Sequence, residues 1–85
     1  MNDILSDKTT EKVQVILMEQ LAIERAQITP EAGLMTDLGA DSLDMVEIGM
    51  HVEETFNLTI ADEDMGGVHT VGDLYEALAS RLAQT

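Results

Sequence analysis

Few side chains in this 85-residue sequence are equipped for chemistry, and the most suggestive is Ser42, set in Gly39-Ala40-Asp41-Ser42-Leu43-Asp44. A serine at the expected start of a helix is usually an N-cap, the position expected of Ser42, and its hydroxyl also admits use as a nucleophile or as an attachment point for a phosphodiester. The free N–H groups and positive dipole end of a helix suit the phosphodiester. Capping is compatible with that use, because a capping hydroxyl can still be modified. Catalysis by Ser42 itself is disfavoured. Its surroundings do not form a nucleophile elbow, a helix from this point puts His51 about 180° away around the axis, and the flanking carboxylates oppose a developing oxyanion. Activation of this hydroxyl therefore falls to a separate enzyme.

Other reactive types give weaker signals. The absence of Cys rules out a disulfide framework, a thiolate metal site and a cysteine nucleophile, so any thiol chemistry needs an added group. His51 and His69 stand alone without ligand spacing and are assigned no chemistry, although His51 lies near Glu47 and Glu54 along a helix. Asp62-Glu63-Asp64-Met65-Gly66-Gly67 with Asp73 resembles a calcium loop with Gly67 at the turn. Gly66 stands where a ligand is needed and the closing acid is Asp, however, so loose divalent-ion binding is expected in place of an EF-hand. No catalytic residue and no metal ligand is assigned.

Charge narrows the partners. Seventeen acids against four bases give a formal charge of -13, which argues against a phosphate backbone and so against nucleic acid. The bases are Lys8, Lys12, Arg25 and Arg81, leaving residues 26–80 with no Lys or Arg and twelve Asp and Glu. Such a surface keeps a protein soluble, and it also steers a basic partner. The chain has neither a cationic leader, its start Met1-Asn2-Asp3-Ile4-Leu5-Ser6-Asp7 being acidic, nor an apolar run of membrane-spanning length. The expectation is a cytoplasmic monomer without membrane insertion.

The elements that must hold Ser42 read as helices. With 45% apolar residues, Phe56 and Tyr75 the only aromatics and six Met, the composition fits one small all-α domain over residues 1–85. A first helix is predicted from about Lys8 to Ala22, with Val13, Ile16, Leu17 and Leu21 in register and Thr9 or Thr10 as cap. A long loop follows to Asp41, pinned by Ile28, Leu34 and Leu38. The second helix runs from Ser42 to about Phe56, where Asn57 breaks it. A short helix or turn over Asp62–Met65 stops at Gly66-Gly67. In the last helix, Thr70-Val71-Gly72-Asp73 forms a capping box, and Val71, Leu74, Leu78 and Leu82 form the core stripe to about Leu82.

The second helix carries two apolar faces. At about 100° per residue, Met45, Ile48, Gly49, Val52 and Phe56 share the side assigned to the core. Leu43, Val46 and Met50 collect on the other, framed by Asp44, Glu47, Glu53 and Glu54. These three residues broaden the core stripe, are the scattered apolar residues that every surface shows, or form a docking strip, in which apolar contact supplies affinity and the acidic frame attracts Lys or Arg.

Asp37-Leu38-Gly39-Ala40-Asp41-Ser42-Leu43-Asp44 resembles the prosthetic-group attachment motif of acyl carrier proteins. The resemblance continues through Val46-Glu47-Ile48, Glu53-Glu54-Thr55-Phe56, Ile60-Ala61-Asp62-Glu63-Asp64 and Thr70-Val71-Gly72-Asp73-Leu74. Upstream it includes Glu19-Gln20-Leu21 and Ile28-Thr29-Pro30-Glu31-Ala32, so it covers roughly residues 9–83. It implies a right-handed four-helix bundle with a short third helix and a long first loop. It also implies 4'-phosphopantetheine from coenzyme A on Ser42, placed there by a phosphopantetheinyl transferase. The implied role is a non-catalytic carrier of acyl thioesters in fatty-acid or related lipid or polyketide biosynthesis. Partners would be acyl-transferring and chain-elongating enzymes with basic surfaces, docking on Asp41, Leu43, Asp44, Glu47, Met50 and Glu54.

Two alternatives stand beside this reading: a D-alanyl or peptidyl carrier, which more often has a Gly-Gly-His-Ser-like motif and less charge, and an unmodified acidic interaction domain. The sequence departs from the family at Ala61, where Pro is usual, at Gly49, where a branched apolar residue is usual, and at Gly66-Gly67. Gly49 either leaves space beside Met45 and Val52 for an acyl chain or is compensated by a larger neighbour such as Met45. Gly66-Gly67 predicts a mobile or tightly turned connection.

Overall fold

Four α-helices, the three longer ones formed where apolar side chains recur at helical spacing, make up the protein in a computed structural model that describes residues 7–83. The acidic start before Asp7 and the outer ends of the expected 1–85 domain lie outside the described residues. Helix α1 spans Asp7–Leu21 and buries Val13, Ile16 and Leu17. Thr9 and Thr10, expected as its cap, instead lie inside the helix, where the Thr10 hydroxyl donates to the Asp7 carbonyl at 3.0 Å. The helix ends one residue before Ala22, which turns left-handed with φ of 54°.

Helix α2 spans Ser42–Phe56 and stops where Asn57 takes a left-handed conformation, a role Asn fills at low steric cost. Helix α3 spans Asp62–Gly66 and α4 spans Val71–Leu82. Leu17, Leu34, Ile48, Leu74 and Leu78 are fully buried together with Val13, Val52 and Val71. Each such side chain contributes about 1.5–3 kcal/mol by leaving water. Leu82, Met45 and Phe56 pack half-buried at the margin of this core. Helix α1 packs on α2, and α3 on α4.

The long connection between α1 and α2 is tied down as its apolar residues predicted: Ile28, Leu34 and Leu38 are all buried. It also contains a 3-10 turn at Arg25–Gln27 that the apolar pattern did not indicate, closed by a Glu24–Gln27 capping box. The stretch from Pro30 onward supplies the partners that the start of α4 requires. The first N–H groups of a helix have no intrahelical acceptor. Here Val71 N donates to the Ala32 carbonyl at 3.0 Å and Gly72 N to the Pro30 carbonyl at 2.9 Å. The next, Asp73 N, donates to the Thr70 hydroxyl at 3.0 Å. Leu34 N donates to the His69 carbonyl at 2.8 Å, and Ala40 N to the Leu34 carbonyl at 2.9 Å. The segment leading into Ser42 is therefore hung from the N-terminus of α4.

Gly72 is part of that joint. A Cβ there would sit 3.1 Å from the Pro30 carbonyl oxygen, a backbone atom held by the bonds just described. Gly72→Ala is expected to lower stability by about 1 kcal/mol, despite alanine's better helix propensity. Thermal unfolding checks this; a variant as stable as the wild type would show that the loop can give way.

The short α3 includes Gly66, one residue beyond expectation, and Gly67 has φ of -90°. The connection is thus tightly turned without needing glycine's positive φ, and Gly67 N and Val68 N donate to the carbonyls of Asp64 and Met65. The segment compared with a calcium loop is helical over Asp62–Gly66, while Asp73 serves the α4 cap. Arg81 and Asp64 pair at 3.4 Å across α4 and α3, an exposed contact of at most modest worth.

Candidate functional site

Ser42 is not the N-cap of α2. That role belongs to Asp41, whose extended backbone and carboxylate close the helix: Asp41 Oδ1 accepts from Asp44 N at 2.8 Å, and Asp44 Oδ2 accepts from Asp41 N at 3.1 Å. Ser42 is the first helical residue and is exposed. The capping box uses the amides of Asp41 and Asp44 and leaves the Ser42 hydroxyl out. Sequence reading missed this although the signal was present, since Asp41-x-x-Asp44 has the same form as the Thr70-x-x-Asp73 box that it did identify. The approach to Ser42 is set by Gly39, left-handed with φ of 81°, between buried Leu38 and buried Ala40.

Two carboxylates at helix starts are held below the ordinary carboxylate range. For Asp44 the first cause is the hydrogen bond from the Gln20 side chain, followed by the Asp41 amide. For Asp73 it is the His69 amide, then that of Thr70. A depressed folded-state pKa means stability that is present above the unfolded value of 3.8 and lost as pH falls through the folded value. Asp73→Asn is therefore expected to cost stability at pH 7, with the difference from wild type shrinking below about pH 4. Denaturant melts of both proteins across that range check the sign; a difference independent of pH would contradict it.

The outer face of α2 remains open. Leu43, Val46 and Met50 are 65%, 58% and 53% exposed, so they do not extend the core stripe. Asp41 and Glu54 are exposed beside them. The other three acids of the frame are half-buried and engaged: Asp44 and Glu47 accept from Gln20 Nε2 at 3.0 and 2.6 Å, and Glu53 accepts from Ile60 N at 2.8 Å. His51 lines a different hollow with Lys12, Val15 and Glu19, about 670 Å³ in volume, between α1 and α2.

The five residues of the inner face separate. Met45 and Gly49 line a groove of about 450 Å³ together with Met50, Ile60 and Met65 from the α2–α3 side. Ile48 and Val52 are closed within the core, and Phe56 lies under Lys12 Nζ at 5.9 Å. The neighbour that occupies the space over Gly49 is Met65. A Cβ on Gly49 would meet Met65 Cε, Cγ and Sδ at 3.5–3.6 Å, ordinary contact distances, so the large neighbour facing Gly49 is Met65 on α3 rather than Met45, and the groove beside it stays open.

The residues at the start of α2 fit a covalently attached phosphopantetheine. Ser42 offers an exposed hydroxyl on the first helical turn, and the amides of Ser42 and Leu43 are not part of the capping box. Asp41 and Asp44 flank the same turn, so the site is poorly suited to retaining a free phosphate by charge. A covalent bond removes that difficulty.

Comparisons with known proteins match most of the chain. A family model described as a phosphopantetheine attachment site matches residues 11–78. A curated acyl carrier protein from Syntrophobacter fumaroxidans (strain DSM 10017 / MPOB) is 46% identical over 72 residues, spanning 85% of this chain and 89% of that protein. A solved structure from Mycobacterium tuberculosis, assigned as an acyl carrier protein, superposes with a TM-score of 0.79 at 31% identity, covering 84% of this chain and 95% of that one. The four-helix architecture is the fold of that structure.

Proposed function

Because this chain belongs to the acyl carrier protein family, whose members bear 4'-phosphopantetheine, we propose that Ser42 is its attachment residue and that it carries acyl groups for fatty-acid or related lipid or polyketide synthesis. The observation that supports Ser42 is its exposed hydroxyl on the first turn of α2, left out of the cap by Asp41. A carrier has no need of its own nucleophile activation, and the acids around Ser42 leave that task to the modifying enzyme. In the loading step the Ser42 oxygen bonds to the pantetheine-side phosphorus of coenzyme A as the pyrophosphate P–O bond breaks; adenosine 3',5'-bisphosphate leaves and the hydroxyl proton passes to a base of the transferase. The bound group supplies a terminal thiol on which acyl groups are held as thioesters. Leu43, Val46 and Met50 present an apolar strip to partner enzymes, and the acids from Asp41 to Glu54 steer basic surfaces toward it.

Loading with an acyl-coenzyme A and a phosphopantetheinyl transferase tests this reading. The expected product carries one acyl-phosphopantetheine, and neutral hydroxylamine strips the acyl group while the phosphopantetheine stays. An acyl group that resists hydroxylamine contradicts the thioester, and a folded chain that gains nothing contradicts the carrier role.

The groove beside Gly49 is the proposed shelter for the acyl chain, with flexible Met45, Met50 and Met65 as an adaptable lining. Gly49→Val adds volume where Met65 now rests. It is expected to shorten the lifetime of a long-chain thioester in water by several-fold, and an unchanged lifetime would exclude the groove.

A further inference from the structure

Gln20 lies on α1, outside the attachment motif and outside the outer face of α2. Its side-chain amide nevertheless reaches across to two acids of that face, donating from Nε2 to Asp44 Oδ1 at 3.0 Å and to Glu47 Oε1 at 2.6 Å. The bonds join residues 24 and 27 apart in sequence and are part-buried. Asp44 is also half of the capping box that orders the turn bearing Ser42. One neutral amide thus connects α1 to both the start of α2 and its acidic frame.

We propose that Gln20 is a positioning residue for partner docking: it holds the carboxylates of Asp44 and Glu47 together as one preformed acidic pair beside Ser42. The inference rests on the reading of Ser42 as the attachment residue and of the α2 acids as the docking frame. Two carboxylates one helical turn apart repel each other, and as free side chains each would sample several rotamers. A shared donor offsets that repulsion without neutralising either charge, so both remain available to a basic partner. An aliphatic residue in its place would keep α1 helical and leave the pair unheld. A carboxylate there would add a third like charge and drive the pair apart. Preorganised charges contribute to encounter and register more than to the chemical step, so the effect belongs in KM.

The test measures transfer of phosphopantetheine from coenzyme A to the wild-type apo-protein, Gln20→Met and Gln20→Glu by one transferase, with kcat and KM for the carrier determined separately. The Asp44 carboxyl is titrated in parallel by carbon-detected NMR. Gln20→Met is expected to raise KM about fivefold with kcat within about twofold, the scale of one lost hydrogen bond. Gln20→Glu is expected to raise KM further, and added salt should narrow its gap from wild type. In both variants the Asp44 carboxyl should titrate closer to the ordinary carboxylate range. If Gln20→Glu fails to fold, the KM and titration of Gln20→Met decide alone. A modified wild type whose variants keep its KM, or its Asp44 titration, overturns the positioning role alone. A wild type left unmodified overturns the Ser42 reading, and this inference falls with it.

Discussion

Ser42→Ala is expected to abolish phosphopantetheine loading completely while leaving the fold in place. At a true N-cap the same substitution would cost about 1 kcal/mol and cloud the result. Here Asp41 closes the helix with its carboxylate on Asp44 N, and Ser42 is an exposed first-turn residue, a position where alanine is a good helix former. The melting temperature should therefore stay within the range of an ordinary surface change, about 0.5 kcal/mol in stability. Loading has no such tolerance, because an alanine methyl cannot form the phosphodiester. Intact mass after transferase treatment measures one quantity and thermal unfolding the other. A Ser42→Ala protein that still gains the group would move the attachment elsewhere, and one that unfolds would contradict the capping assignment.

The second large effect is expected at Val46. This residue sits 58% exposed between Leu43 and Met50, so Val46→Glu should leave stability nearly unchanged and improve helix propensity slightly. In a docked complex the same carboxylate would be placed in the apolar centre of the contact, where burying a charge without a designed partner is costly. The efficiency of transfer, kcat/KM, is expected to fall about tenfold or more, equivalent to about 1.4 kcal/mol. Because the residue belongs to the apolar strip, added salt should not rescue the loss as it would for a rim charge. Transfer at wild-type efficiency would show that partners do not use this face.

Much of the fold was legible because it depends on local pattern. The limits of α2 follow from the apolar period and from Asn57, and the Thr70–Asp73 box is written in four consecutive residues. The two-faced character of α2 was also readable, and the exposure of Leu43, Val46 and Met50 separates the strip from the core. What escaped depends on residues far apart in sequence. Gln20 gives no sign in its own neighbourhood of reaching Asp44 and Glu47. The need for glycine at position 72 comes from the Pro30 carbonyl, and the filling of the Gly49 notch comes from Met65 on another helix. Ser42 was a different kind of miss. Two competent caps stood side by side, and the Asp41-x-x-Asp44 pattern that marks Asp41 as the one closing the helix was passed over.

The most direct test of the central claim is peptide mapping of the wild-type protein after incubation with coenzyme A, magnesium and a broad-specificity phosphopantetheinyl transferase. One phosphopantetheine per chain, on the fragment containing Ser42 and on that hydroxyl, is the predicted result. A folded chain that gains no mass, or carries the group on any other residue, would contradict it.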